Sequence, residues 1–195
     1  MAKRREQGPW RFVGAVGPGG TPPSLGLPEI AFAGRSNVGK SSLINRLTRT
    51  RGLARTSGTP GRTQQINFFG GPDDVVFADL PGYGWARAPA HVREAWRPLV
   101  EGYLTGRDTL RGVVVIVDAR RGVGDPDRQL LGFLADQDID SVLVLSKVDK
   151  LKQGERVRAT RAVAAEIDGS VPFSSVTGEG ERDLWRRLTD LAGLR

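Results

Sequence analysis

The stretch that decides the fold runs from Ile30 to Ser41 and reads Ile-Ala-Phe-Ala-Gly-Arg-Ser-Asn-Val-Gly-Lys-Ser. The first four residues are apolar and predict a short buried strand, and a helix is expected from about Lys40. Between them lies the pattern G-x-x-x-x-G-K-S, formed by Gly34, Arg35, Ser36, Asn37, Val38, Gly39, Lys40 and Ser41. A glycine loop in this setting predicts a phosphate-binding P-loop, because its backbone N–H groups can point at one anion.

The residue types of this loop each have a chemical reason. Gly34 and Gly39 permit the turn and the close approach of the backbone to a phosphate. The Lys40 ammonium can reach the β- and γ-phosphates of a nucleotide, and the Ser41 hydroxyl can bind magnesium. The alternative is a structural glycine loop, and the strand-loop-helix setting argues against it.

Further short apolar runs predict the rest of the sheet. They lie at 75–78, 113–117, 142–145 and 171–173, with helical stretches at about 89–104, 125–136, 152–167 and 179–192. Unbroken apolar runs are typical of strands buried on both faces of a parallel sheet, and the alternating residues 65–69 predict one extra strand. We therefore expect an α/β fold with a mostly parallel, six-stranded sheet flanked by helices.

Glycine and proline are dense over residues 1–28, which are predicted to be irregular. The rest of the chain has the length of one domain with a core of its own. The expected organisation is an N-terminal extension over residues 1–25, partly disordered, followed by one domain over 26–195.

Composition narrows the class of function. The 195 residues include no cysteine, which excludes thiolate metal sites, and a single histidine, His91, which excludes a multi-histidine site. No apolar run approaches the roughly 18 residues that span a bilayer, and no signal peptide is recognisable, so a cytoplasmic protein without membrane insertion is expected. The net charge of +7 favours a polyanionic partner such as nucleic acid, although surplus arginine can also serve solubility alone.

A second motif, Asp79-Leu80-Pro81-Gly82, directly follows the predicted strand 75–78. An aspartate at the carboxyl end of a buried strand can reach a magnesium ion, often through water. Gly82 leaves room for its N–H to approach a γ-phosphate. D-x-x-G alone usually marks a turn, but its place at a strand end after the P-loop supports a nucleotide site.

A third motif, Ser146-Lys147-Val148-Asp149, follows the strand 142–145 and predicts base recognition. The Asp149 carboxylate can accept hydrogen bonds from N1–H and the 2-amino group of guanine, and adenine has neither donor. The Lys147 stem can lie over the plane of the base. The alternative is that both side chains are solvated loop charges.

Two weaker signals gain meaning from their positions. Backbone N–H groups of Phe173, Ser174 and Ser175, after the last predicted strand, could meet the guanine O6. The segment 56–63, rich in glycine, threonine and proline, lies where a mobile threonine could complete magnesium coordination. Thr59 and Thr63 are both candidates for that role.

Over residues 29–195 the chain resembles the EngB (YihA/YsxC) family of bacterial GTPases, within the TrmE-Era-EngA-EngB-septin-like superfamily. The resemblance is carried by the P-loop, by Pro60-Gly61-Arg62-Thr63-Gln64 with Asn67-Phe68-Phe69, and by residues 79–84, 117–120, 147–150 and 173–175. It implies a Ras-like P-loop GTPase domain that binds GTP and GDP with magnesium.

The resemblance also implies roles for particular residues. Thr63 should contact magnesium together with Ser41 and Asp79, and the expected catalytic residues are Lys40, Thr63 and Gly82. The segment near the nucleotide should comprise Gly61, Arg62, Thr63, Gln64 and Gln65. Family members look like ribosome-associated GTPases that help assemble the large subunit and are needed for normal septum formation. The chain is therefore expected to be a monomer whose partner is the large ribosomal subunit or its rRNA.

Two positions bear on affinity and rate. The family's base motif usually reads N/T-K-x-D, and Ser146 keeps a hydroxyl that can still bond toward the P-loop. Tyr83 follows Gly82 where signalling GTPases often place a water-orienting glutamine. We therefore expect slow intrinsic GTP hydrolysis, which a ribosomal partner accelerates.

Asn37 raises the question of a second cation. In cation-dependent relatives an asparagine at this loop position helps to bind potassium near the phosphates. The alternative is that Asn37 only stabilises the loop.

Two other classes of function remain open at this point. An ATP-using phosphotransferase can be built on the same sheet, but it would lack a guanine-reading aspartate such as Asp149. A scaffold that binds nucleotide without hydrolysing it would release no phosphate.

Overall fold

Strands and helices alternate along the chain in the computed structural model, which describes residues 9–55, 65–72, 74–83 and 90–194, without the side chains of 90–97. The strands are β1 (Arg11–Val16), β2 (Glu29–Gly34), β3 (Ile66–Gly70), β4 (Val76–Asp79), β5 (Leu110–Asp118), β6 (Ser141–Ser146) and β7 (Val171–Pro172). The helices are α1 (Lys40–Leu47), α2 (Ala90–Gly106), α3 (Asp125–Asp136), α4 (Gln153–Glu166) and α5 (Glu181–Ala192), with a 3-10 turn at Val148–Lys150.

One sheet has the strand order β1-β3-β4-β2-β5-β6-β7. The strands from β4 to β7 in this order are parallel, and β3 is antiparallel to both of its neighbours. The predicted α/β class with a mostly parallel sheet is confirmed. Because parallel strands end at a common edge, the loops that follow β2, β4, β5, β6 and β7 lie side by side.

The prediction of six strands and an irregular segment 1–28 is wrong for residues 11–16. These residues form β1, an edge strand that pairs with β3 and shifts register between Phe12 and Gly14. The buried ring of Trp10, with its centroid 4.2 Å from that of Phe77, anchors the segment against the core. The glycines and prolines hide β1 in the sequence, because an edge strand needs only one partner and little apolar alternation.

The core has a layer on each face of the sheet, and β2 contributes to both. Ile30 and Phe32 pack in the cluster that includes Leu43 of α1 and Leu184 of α5. Alternate residues Ala31 and Ala33 pack in the opposite cluster with side chains from α2, α3 and α4. Successive side chains of a strand point to opposite faces, so burial of both faces explains the unbroken apolar run.

A buried polar cluster lies at the opposite edge of the sheet. The fully buried Glu29 carboxylate accepts hydrogen bonds from Arg107 Nη2 at 2.6 Å, Tyr103 Oη at 2.9 Å and Thr109 Oγ1 at 2.9 Å. A buried carboxylate needs such partners to offset its desolvation. The cluster ties the end of α2 to the start of β2.

Candidate nucleotide-binding site

The predicted site motifs meet at the carboxyl edge of the sheet. β2 ends at Gly34, β4 at Asp79, β6 at Ser146 and β7 at Pro172, and each strand leads directly into one motif. In open α/β sheets this edge is where ligands bind.

Backbone conformation in the loop after β2 depends on its glycines. Gly39 has φ +102° and caps α1 without a side-chain hydrogen bond, so the first N–H groups of the helix are available to an anion. Asn37 also lies in the left-handed region, at φ +64°. A Cβ at Gly34 would come within 2.8 Å of Val38 Cγ2 and 3.0 Å of the Ile116 carbonyl oxygen. The tight packing therefore requires glycine at this position.

Lys40 and Asp79 form an ion pair across the site, between Lys40 Nζ and Asp79 Oδ1. Their side chains are 11% and 6% exposed. The backbone after Asp79 runs beside the P-loop, because Leu80 N–H donates to the Phe32 carbonyl at 3.0 Å and Tyr83 N–H to the Gly34 carbonyl at 3.2 Å. The D-x-x-G segment is thereby held against the phosphate-binding loop.

The Ser146 hydroxyl links the base loop to the P-loop. Its Oγ donates to the Val38 carbonyl oxygen at 2.5 Å, with the Val117 carbonyl oxygen 3.1 Å away as a second acceptor. Ser146 is buried. The prediction that serine at this position keeps the bond toward the P-loop is confirmed.

Ser174 orients the Asp149 carboxylate. The buried Ser174 Oγ accepts the N–H groups of Val176 at 3.2 Å and Thr177 at 3.1 Å, and it donates its proton to Asp149 Oδ1 at 2.7 Å. Lys150 Nζ lies 3.7 Å from Asp149 Oδ2. Since an ionised carboxylate has about four acceptor positions, Asp149 can still accept the two N–H groups of a guanine.

Two of the three proposed backbone donors to the guanine O6 already have acceptors among the described residues. Phe173 N–H donates to the Leu145 carbonyl at 2.8 Å, and Ser174 N–H to the Glu179 carbonyl at 3.1 Å. The prediction is therefore wrong for these two groups, whose bonds hold the loop in place. Within the described part of the chain, no acceptor is assigned to Ser175 N–H, which leaves it for a ligand.

Asp118 and Arg120 belong to this edge although the sequence motifs assigned them no role. Asp118 ends β5, and its Oδ2 lies 3.1 Å from Lys147 Nζ. Arg120 Nε donates to Asp118 Oδ1 at 2.9 Å. The available signal was an aspartate directly after a buried strand, the same feature that marks Asp79.

The Tyr83 hydroxyl is hydrogen-bonded to a side chain of α3. It donates to Oδ1 of the buried Asp127 at 2.8 Å, and Asp127 Oδ2 accepts Gly124 N–H at 2.8 Å. Burial, reinforced by the Asp127 carboxylate, raises the pKa of Tyr83 well above its usual range. The hydroxyl stays protonated and acts as a donor to Asp127.

Four of the predicted site residues, Gly61, Arg62, Thr63 and Gln64, lie outside the described residues, as does Thr59. Gln65 is described and exposed, immediately before β3. The roles assigned to these residues stay predictions.

The mostly parallel sheet and the loops along its carboxyl edge define a P-loop GTPase. A family model described as a 50S ribosome-binding GTPase matches residues 29–147. The chain is 49% identical over 183 residues to a probable GTP-binding protein EngB of Trichlorobacter lovleyi, covering 90% of this chain and 91% of that protein. It is 48% identical to the one of Pelobacter propionicus over 85% of this chain and 84% of that protein. The chain belongs to the EngB family of GTP-binding proteins, and it is a GTP hydrolase.

Solved structures agree with this assignment. The crystal structure of a probable GTP-binding protein EngB is similar with a TM-score of 0.69 and 28% identity, over 86% of this chain and all of that one. Era bound to MgGDPNP and a 16S rRNA fragment has a TM-score of 0.64 at 20% identity, over 84% of this chain and 56% of that one, which shows a shared fold. No described helix has the length and apolarity to cross a membrane.

Proposed function

We propose that this GTPase is a magnesium-dependent switch in the assembly of the large ribosomal subunit, with slow hydrolysis of its own. The observation that carries the proposal is the meeting of Lys40, Asp79 and Asp149 at one edge of the sheet, each held by a neighbouring strand-end loop. One GTP molecule spanning that edge would meet all three side chains.

The P-loop, residues 34–41, would hold the phosphates, and Lys40 would compensate the charge that develops on them. Gly82 N–H would approach the γ-phosphate, and Thr63 would complete the catalytic set. The base would lie against Ser146, Lys147, Val148 and Asp149, with O6 near Ser175 N–H.

The donors at this edge fit magnesium. Asp79 is a buried carboxylate that faces the P-loop and already pairs with one cation, the Lys40 ammonium. The described residues contain no cluster of three or more acidic or histidine ligands. One carboxylate with serine and threonine hydroxyls suits magnesium, which takes its remaining ligands from phosphates and water. Ser41, Thr63 and Asp79 would hold the ion, which would neutralise charge on the phosphates.

Slow intrinsic hydrolysis follows from the position of Tyr83. Its hydroxyl is bonded to Asp127 of α3, so it is not free to orient an attacking water. A partner, or a potassium ion bound near Asn37, would supply the missing stabilisation.

A ribosomal partner accords with the surface charge. The net charge is +7, and the exposed α4 carries Arg158 and Arg161 without an ion pair to any described residue. Cations of this kind attract the rRNA backbone. The matching family model is described as ribosome-binding. Septation, a cytoplasmic location and a monomeric state are proposed from the family resemblance and the sequence.

Single-turnover GTP hydrolysis tests the switch. We expect a low rate for the protein alone and an increase of at least about tenfold with purified large ribosomal subunits, because the partner completes the transition-state contacts. Each reaction is run in potassium chloride and in sodium chloride. Small subunits serve as the control for unspecific polyanion effects.

Fast turnover by the protein alone would contradict the proposal, as would equal stimulation by both subunits. Equal hydrolysis rates in potassium chloride and sodium chloride would show that potassium takes no part in the reaction. GTP binding without phosphate release under any of these conditions would favour the scaffold.

A Tyr83→Phe variant tests the coupling between the D-x-x-G segment and α3. Loss of the bond to Asp127 should loosen the backbone after Gly82 and weaken GTP binding roughly fivefold, while GDP, which has no γ-phosphate, binds as before. Titration with fluorescent GTP and GDP analogues measures the two affinities.

Tyr103→Phe is the matched control, because the Tyr103 hydroxyl also donates to a buried carboxylate, that of Glu29, at the opposite edge of the sheet. It should lower stability without changing the preference between GTP and GDP. An equal loss of GTP and GDP affinity in Tyr83→Phe would show that the contact does not serve the γ-phosphate.

A further inference from the structure

Asp118 lies at the carboxyl edge of the sheet and holds two cations. It pairs with Ser146 in the register of β5 and β6, and its side chain is 2% exposed. Arg120 donates to both of its oxygens, from Nε to Oδ1 at 2.9 Å and from Nη2 to Oδ2 at 2.6 Å. The Lys147 ammonium lies 3.1 Å from Oδ2.

The Lys147 ammonium has a second partner as well. Its ammonium donates to the backbone carbonyl of Asn37 in the P-loop. The aliphatic stem that carries this ammonium passes the P-loop closely, since a Cβ at Gly39 would lie 3.5 Å from Lys147 Cε. Two anchors at the tip, from different loops, therefore determine the path of the lysine stem along the site.

The fold does not require the Lys147 ammonium as a second cation beside Asp118. Arg120 alone satisfies the Asp118 carboxylate through a bidentate contact. The Lys147 ammonium does not need Asp118 either, because a lysine ammonium is readily hydrated. Burial by itself would raise the pKa of Asp118, but the bonds from Arg120 and Lys147 outweigh it and hold the pKa well below its usual range. The Asp118 carboxylate is thus charged at physiological pH, and it attracts the Lys147 ammonium throughout that pH range.

We propose that Asp118 is a positioning residue for guanine nucleotide binding, which acts by holding Lys147 in place for the base, with Arg120 supporting Asp118. This rests on the proposed function, because it takes residues 146–149 to be the base-binding loop. A lysine stem that is already ordered loses less rotamer freedom when the base binds. Both GDP and GTP should gain from it equally, since both carry the same base.

The variant Asp118→Asn keeps the shape and removes the charge. We expect GDP and GTP affinity to fall about tenfold together, which corresponds to the ordering of one long side chain. The KM for GTP should rise accordingly, while kcat at saturating GTP stays within about twofold. Arg120→Ala should have a smaller effect of the same kind, because it removes the bonds that hold Asp118 but leaves the contact between Asp118 and Lys147.

Arg128→Ala is the matched control. Arg128 makes the same two-pronged contact, with Glu166, at 2.6 and 3.0 Å, and its side chain is 48% exposed against 47% for Arg120. It lies on α3 away from the base loop, so its loss should leave nucleotide affinity unchanged.

A double-mutant cycle with Lys147→Met decides the matter, because methionine keeps an aliphatic stem without the ammonium. Asp118→Asn should cost almost nothing further in that background. A full loss there, or an unchanged affinity in the single Asp118→Asn variant, overturns the proposal. If Asp118→Asn does not fold, Arg120→Ala in the same cycle gives the answer. Wild-type protein that fails to bind GDP would overturn the proposed function as well, whereas normal wild-type binding with an unaffected variant overturns this inference alone.

Discussion

Asp149→Asn should weaken GDP binding at least about 100-fold and shift the preference to xanthosine nucleotides, because an amide cannot accept both guanine N–H groups. Ser174 determines how the amide of the variant side chain is oriented toward the base. Its Oγ accepts two backbone N–H groups and donates its proton to Oδ1, so the asparagine oxygen should take that position and its NH2 group should face the base. That NH2 group can donate to the 2-oxo group of xanthine. Competition between GDP and XDP for a fluorescent nucleotide measures the switch.

Ser174→Ala is the control for this prediction. It leaves the Asp149 carboxylate in place and removes the bond that orients it, so GDP binding should weaken moderately without any gain for XDP. A loss of both nucleotides in Asp149→Asn would indicate a damaged loop. Unchanged GDP affinity would mean that Asp149 does not read the base.

Lys40→Met should lower kcat/KM for GTP about 1,000-fold, because it removes the cation that stabilises charge on the phosphates. The contact with Asp79 adds a second effect. Without Lys40, the 6% exposed Asp79 carboxylate loses its cation, and the nucleotide-free protein should lose about 2 kcal/mol of unfolding free energy. Single-turnover hydrolysis and urea unfolding measure the two effects separately.

The double variant Lys40→Met/Asp79→Asn separates stability from catalysis. Neutralising Asp79 should restore most of the unfolding free energy, while hydrolysis stays lost because the cation is still missing. Recovery of hydrolysis in the double variant would contradict the catalytic role of Lys40. Wild-type stability in Lys40→Met would mean that the ion pair contributes nothing to the fold.

Much of the edge of the sheet was predictable from local sequence. The run from Ile30 to Ala33, the glycine loop and the helix from Lys40 are contiguous, and their chemistry depends on neighbours along the chain. Asp79 and Ser146 were placed correctly at strand ends because buried parallel strands appear as unbroken apolar runs. A strand such as β1 has no clear local signal, because its stability comes from pairing with β3 and from the distant ring of Phe77.

The sequence by itself determined the class of fold, the family and the order of the strand-end loops, because these follow from apolar periodicity and from motifs that are continuous in the chain. Only the tertiary structure decided which groups are already occupied: the hydroxyl of Tyr83 by Asp127, and the ammonium of Lys147 by Asp118. The physical reason is that each of these partners lies on a different loop or helix. Their meeting depends on how the strands are ordered in the sheet, and no local pattern encodes that order.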